Sequence, residues 1–181
     1  MFVISLILLQ GAAWSASIAL ADYDCDASRG DYEKLELTGA DGFQISGVVK
    51  PVNTSRKGSD WLPAAGALFQ PESGRGGVGV QFWQNSRKTL TFGFRRLSPD
   101  PDTPVPLGTL PADQPISFAL ALDSQRRLMF RVNGKAFALP GVKVDAKRPV
   151  LMCSGGHFRF ESLSVSTLTQ SPSADVGKPT G

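Results

Sequence analysis

Two acidic clusters are the first candidates for chemistry in this chain of 181 residues. Asp22, Asp24 and Asp26 alternate around Cys25, and Asp31, Glu33 and Glu36 follow closely. Paired carboxylates could serve as general acid and base if they projected from one face. The first cluster precedes any clear strand. In the second, an extended chain puts Asp31 and Glu33 on one side and Glu36 on the other. Both clusters read as solvated surface charge. The single histidine, His157, follows Gly155-Gly156 and reads as an exposed turn residue. Gly74-Arg75-Gly76-Gly77 precedes a strand and not a helix, so it lacks the geometry of a phosphate cradle. No nucleophile elbow and no metal-ligand spacing is present, so no catalytic residue, metal or cofactor is expected.

The two cysteines, Cys25 and Cys153, depend on the compartment. Met1 to Ala21 carries no charge, runs apolar from Phe2 to Leu9, and ends in the small-x-small tail Ala19-Leu20-Ala21. This pattern predicts a secretory signal peptide over residues 1–21, although no Lys or Arg precedes the apolar run. A retained membrane anchor is the alternative. Gln10, Gly11, Ser15 and Ser17 dilute the segment and favour cleavage, which leaves no stable membrane insertion. A secreted or periplasmic location follows. In such an oxidising compartment, an even cysteine count suggests a Cys25–Cys153 disulfide, with two unrelated buried thiols as the alternative. The flanking aspartates would raise the pKa of Cys25, which argues against a reactive thiolate.

The elements that must position any site are strands. After Ala21 no long 3.6-residue apolar period occurs, and period-2 alternation dominates. Val78, Val80 and Phe82 alternate with Gly79, Gln81 and Trp83; Leu90, Phe92 and Phe94 alternate with Thr91, Gly93 and Arg95. Ile116–Leu122, Leu128–Val132 and Phe158–Val165 behave alike, the last with a slip at Glu161-Ser162 that predicts a bulge. Earlier strands are expected at Tyr32–Leu37, Phe43–Val49 and Ala65–Gln70. Asn133-Gly134 predicts a hairpin turn with positive φ at both positions. Gln84–Lys88 and Asp123–Arg126 make tight connections, whereas Ser98–Pro115, with six prolines, reads as a long loop. The organisation expected is a leader (1–21), one β-sandwich domain (22–169) and a disordered tail (170–181).

The stretch Leu122-Asp123-Ser124-Gln125-Arg126-Arg127-Leu128-Met129-Phe130-Arg131-Val132-Asn133-Gly134-Lys135 resembles a hairpin of the concanavalin A-like lectin/glucanase superfamily, which includes laminin G-like domains. His157–Val165 is similar to the closing strand of that fold, which returns beside the first. The resemblance covers roughly Asp31 to Thr167 and implies an all-β, two-sheet antiparallel jelly-roll sandwich. A Cys25–Cys153 bond fits its neighbouring ends. Glycosidases of the superfamily carry Glu-x-Asp-x-x-Glu, which is absent here. Its lyases need Arg, Gln, His and Tyr around the sugar, and those motifs are absent too.

A binding face is the better candidate. If the large apolar side chains point inward, Gln81, Trp83, Thr91 and Arg95 point out of adjacent strands, with Ser117, Ala119, Ala121, Met129 and Arg131 expected nearby. Trp83 could stack on a sugar ring while Gln81, Arg95 and Arg131 hydrogen-bond its hydroxyls or carboxylates. The alternative is a face covered by the Pro-rich segment. Trp61 is a second possible platform or a loop anchor. Asn53-Thr54-Ser55 fits a glycosylation acceptor, which matters only in a eukaryotic host. The expected function is an exported, non-catalytic, carbohydrate-binding module whose partner is a glycan or polysaccharide. The alternatives are a glycan-degrading enzyme with an atypical site and a module meeting an envelope protein. The charge of +3, from 19 Lys and Arg against 16 Asp and Glu, is interspersed along the chain, which disfavours nucleic acid as a partner.

Overall fold

The computed structural model describes residues 16–37, 44–54, 62–71, 73, 76–97, 104–122, 127–143 and 148–167. Among these residues there are strands and turns and no helix. In chain order the strands are β1 (Ala16–Ala19), β2 (Tyr23–Asp26), β3 (Tyr32–Glu36), β4 (Gln44–Asn53), β5 (Ala64–Gln70), β6 (Gly77–Gln84) and β7 (Thr89–Leu97). They continue with β8 (Val105–Pro111), β9 (Ile116–Leu122), β10 (Arg127–Val132), β11 (Lys135–Lys143), β12 (Arg148–Ser154) and β13 (His157–Thr167). They form two antiparallel sheets. One has the order β1-β13-β4-β9-β10-β11, with β2 also on β13; the other has the order β3-β12-β5-β6-β7-β8.

Alternation decides what lies between the sheets. Ile45, Phe118, Leu120, Leu128, Phe130, Phe158 and Phe160 of the first sheet meet Ala67, Phe69, Val80, Phe82, Phe92 and Leu151 of the second in one buried cluster. Phe82 and Phe118 sit 6.4 Å apart across the sandwich, and Phe118 and Phe160 meet edge-on at 6.2 Å. Such tilted pairs add modestly to the area each ring removes from water. Cys25 and Cys153 form a disulfide, as expected, with both residues fully buried. The bond joins the two sheets. Cys25 lies on β2 in the first sheet and Cys153 on β12 in the second, so it clamps one sheet to the other.

The Asn-Gly turn has φ of 47° at Asn133 and 79° at Gly134, the two positive values a tight hairpin demands. Asn133 Oδ1 accepts from the Ser117 N–H at 2.9 Å, and the Asn133 N–H donates to Ser117 O at 2.9 Å, which fastens the turn to β9. The bulge falls where the sequence puts it: pairing of β13 with β4 slips between Glu161 and Ser164, and Ser162 has φ of 50°.

Some strands lie where the sequence analysis expects none. The Pro-rich stretch is not all loop, because Val105–Pro111 pairs with β7 as the last strand of the second sheet. An edge strand has one neighbour to bond, so missing proline donors are tolerated there. β12 escaped notice because Val150 and Leu151 are adjacent and both buried, which erases alternation. Residues 16–19, within the expected leader, form β1 and pair with β13, and the Leu20 N–H donates to Leu163 O. Trp61, the Asp123–Arg126 connection and the 170–181 tail lie outside the described residues.

Candidate functional site

Strand register fixes which side chains share the outer face of the second sheet. Val78, Val80, Phe82, Leu90 and Phe92 belong to the core, so Gln81, Trp83, Thr91, Gly93 and Arg95 face the other way. Pairing lays Met152, Gly66, Gln81, Gly93 and Pro106 in one row across the strands. The next row runs Tyr32, Ser154, Ala64, Trp83, Thr91 and Thr109. On the other side of Gln81 the row is Glu36, Val150, Leu68, Gly79 and Arg95.

Gln81 therefore stands between two glycines. A Cβ on Gly93 would lie 2.2 Å from Val105 O and 2.9 Å from Trp83 Cη2, so the indole reaches across that strand where no side chain rises. Arg95 Nη1 donates to Gln81 Oε1 at 2.8 Å. The pairing uses the amide oxygen and fixes one end of the planar guanidinium fork. Gln81 is only 5% exposed, while Trp83 and Arg95 are partly exposed. Thr91 is buried and accepts a hydrogen bond from Asn85 Nδ2. On β6 and β7 the open part of the face is thus Trp83 and Arg95, with Gln81 buried below them. Leu68 and Val150, on the same face, are each 1% exposed, so the face is not open throughout. The described part of the Pro-rich segment does not lie over it, because β8 extends the sheet sideways next to β7.

Arg131 is elsewhere. It pairs with Ala119 and Ala136 in the first sheet, and its neighbours Phe130 and Val132 point into the core. Its side chain therefore faces away from the sandwich on the opposite side from Arg95, together with Ser117, Ala119, Ala121 and Met129. Hairpins β6–β7 and β9–β10 belong to different sheets, and the outer faces of a sandwich point apart. The structure brings Gln81, Trp83 and Arg95 together and leaves Arg131 out.

Sequence reasoning missed Tyr32. It begins β3 on the outer face, is 68% exposed, and ends the row that contains Trp83. Three strand steps separate the two, about 14 Å at the usual spacing. The signal was present in Tyr32, Lys34 and Glu36, which alternate with the inward Glu33 and Leu35.

The acidic clusters do not form a paired site. Glu33 turns inward, where it accepts from Tyr23 Oη at 2.9 Å and the Asp26 N–H at 3.1 Å. Burial pushes the Tyr23 phenol well above its ordinary range, helped by that hydrogen bond to Glu33 and by its charge. Glu36 turns outward and lies 2.5 Å from Lys34 Nζ and 3.7 Å from Arg148 Nη1; the Lys34 hydrogen bond is the main cause of its lowered pKa. Asp24 meets His157 Nε2 at 2.6 Å and Arg159 Nη2 at 3.5 Å, and chiefly the His157 hydrogen bond lowers its pKa. His157 is thus a structural partner of β2 and not a loose turn residue. Among the described residues no cluster of three His, Cys, Asp or Glu could hold a metal ion, and no helix is long and apolar enough to cross a membrane.

No family model and no curated protein sequence matches this chain. Solved structures match it in shape. A native glycosidic hydrolase aligns over 83% of this chain and 78% of its own, at 8% identity and a TM-score of 0.51. The Aspergillus kawachii beta-fructofuranosidase complexed with glycerol aligns over 87% of this chain at 13% identity and a TM-score of 0.54. The chain has a concanavalin A-like jelly-roll sandwich fold. The sandwich spans only 28% of that fructofuranosidase, and at such identities the likeness is one of fold.

Proposed function

We propose that this sandwich is an exported, non-catalytic module that binds a glycan or polysaccharide across the outer face of β3, β12, β5, β6 and β7. The observation that carries the reading is the Arg95–Gln81 pair beside a partly exposed Trp83. A partly exposed indole offers a flat apolar surface for the face of a sugar ring, and the guanidinium offers directed donors to its hydroxyls or carboxylates. Tyr32 supplies a second ring about 14 Å along the same row, which suits a chain of several sugars lying across the strands. The glycosidase shape of the neighbours supports a carbohydrate ligand, and the buried disulfide supports an oxidising compartment.

Hydrolysis is the second reading, favoured by those same neighbours. It requires two carboxylates flanking the scissile bond. Strands β5 to β8 contain none in their sequences, and Glu36, on the edge strand, is engaged by Lys34 and Arg148. A glycan array combined with a reducing-sugar release assay separates the readings. Binding without release is the expected result. Release would replace the proposal with an enzyme, and the absence of both binding and release would point to a protein partner in the cell envelope.

A further inference from the structure

The segment assigned to the end of a leader is built into the first sheet. β1 runs antiparallel to the second half of β13, pairing Ala16 with Thr167, Ser17 with Ser166, Ile18 with Val165 and Ala19 with Ser164. The contact continues beyond the strand. The Leu20 N–H donates to Leu163 O at 2.8 Å, and the Leu20 side chain packs against the core. Asp22 Oδ1 accepts the N–H of Ser162, the bulge residue, at 3.2 Å. β2 then takes over and pairs with His157–Phe160. One edge of β13 is thus shared by two consecutive segments joined through Leu20–Asp22.

Cleavage after Ala21 would discard the first of these segments. It would leave Ser164–Thr167 as an unpaired sheet edge and strip Leu20 from the core, and open edges of this kind invite unwanted strand pairing. The middle residue of Ala19-Leu20-Ala21 is also held by a backbone bond and by packing. Of the other small-x-small triplets upstream, Gly11-Ala12-Ala13 and Ala13-Trp14-Ser15 would place the cut before Ala16, whereas Ser15-Ala16-Ser17 and Ser17-Ile18-Ala19 would place it inside β1. We infer that processing occurs on the N-terminal side of Ala16, and that Ala16–Leu20 stays in the mature domain as the strand that closes β13. The position of the cut rests on the reading of the apolar start as a leader. The retention of β1 does not.

The test uses the full chain expressed in a host that exports it, with N-terminal sequencing and intact mass of the purified product. A first residue between Trp14 and Ala16 is the expected result. A start at Met1 would refute the leader and keep the strand, and a start at any residue from Ser17 to Asp22 would overturn the inference. Amide hydrogen exchange on the same product supplies the second measurement. The Leu20 amide should exchange at least about tenfold slower than an unstructured chain. Exchange at the unprotected rate would overturn the inference whatever the N-terminus.

Discussion

Removing the Cys25–Cys153 bond should loosen the sandwich between its sheets. The two residues are 128 positions apart, so on the chain-entropy model the bond withdraws about 5 kcal/mol of freedom from the unfolded chain. Measured losses for native disulfides run from about 2 to 5 kcal/mol, since unfolded chains keep some structure. Both residues are fully buried in the core, so replacing them with alanine also leaves a small void, which adds to the loss. Serine would be a poorer probe, because it would strand two hydroxyls among apolar neighbours. A domain of this size shifts its melting temperature by roughly 2–4 °C per kcal/mol, so the Cys25→Ala/Cys153→Ala protein should melt about 5–20 °C lower. The assay is a thermal scan of the oxidised, fully reduced and double-alanine proteins, each checked for reversibility. Reduced and oxidised proteins melting within a degree of each other would refute the argument that this bond couples the sheets.

Trp83→Ala should weaken glycan binding by about 1–3 kcal/mol, read by titration calorimetry. Its stability cost should stay below the ~3–5 kcal/mol of a fully buried aromatic, and a larger loss of stability with unchanged affinity would make Trp83 a packing residue. Tyr32→Ala should spare short oligosaccharides and weaken those of four or more sugars, because the two rings stand about 14 Å apart; equal effects at every length would remove Tyr32 from the site. Asp24 has a lowered folded pKa, so its contribution to stability is present above the ordinary aspartate value of ~4 and is lost as pH falls through the folded value. Asp24→Asn should therefore flatten the acid limb of a stability–pH curve, and an unaltered limb would discount the His157 contact. Tyr23 has a raised pKa, so its contribution is complete below pH ~10 and fades above it; Tyr23→Phe should flatten the alkaline limb, as followed by circular dichroism.

Period-2 alternation determined most of the strands from the sequence alone, because each strand of an antiparallel sandwich buries one face. Asn133-Gly134 determined a turn, since few other pairs accept two positive φ values, and the slip at Glu161-Ser162 determined a bulge. With only two cysteines, one pairing was available. Alternation could not say to which sheet a hairpin belongs. It separated Arg131 from Phe130, and Arg95 from Phe94, with equal clarity. Only the pairing of β9 with β4 and of β6 with β5 put the two arginines on opposite sides of the molecule. Adjacent buried residues hid β12, prolines hid β8, and an apolar leader pattern hid β1, because edge position and burial on both faces depend on partners distant in sequence. The burial of Gln81 beneath Arg95 is likewise tertiary. A polar residue at an outward position carries no mark of what its neighbours across the sheet will place beside it.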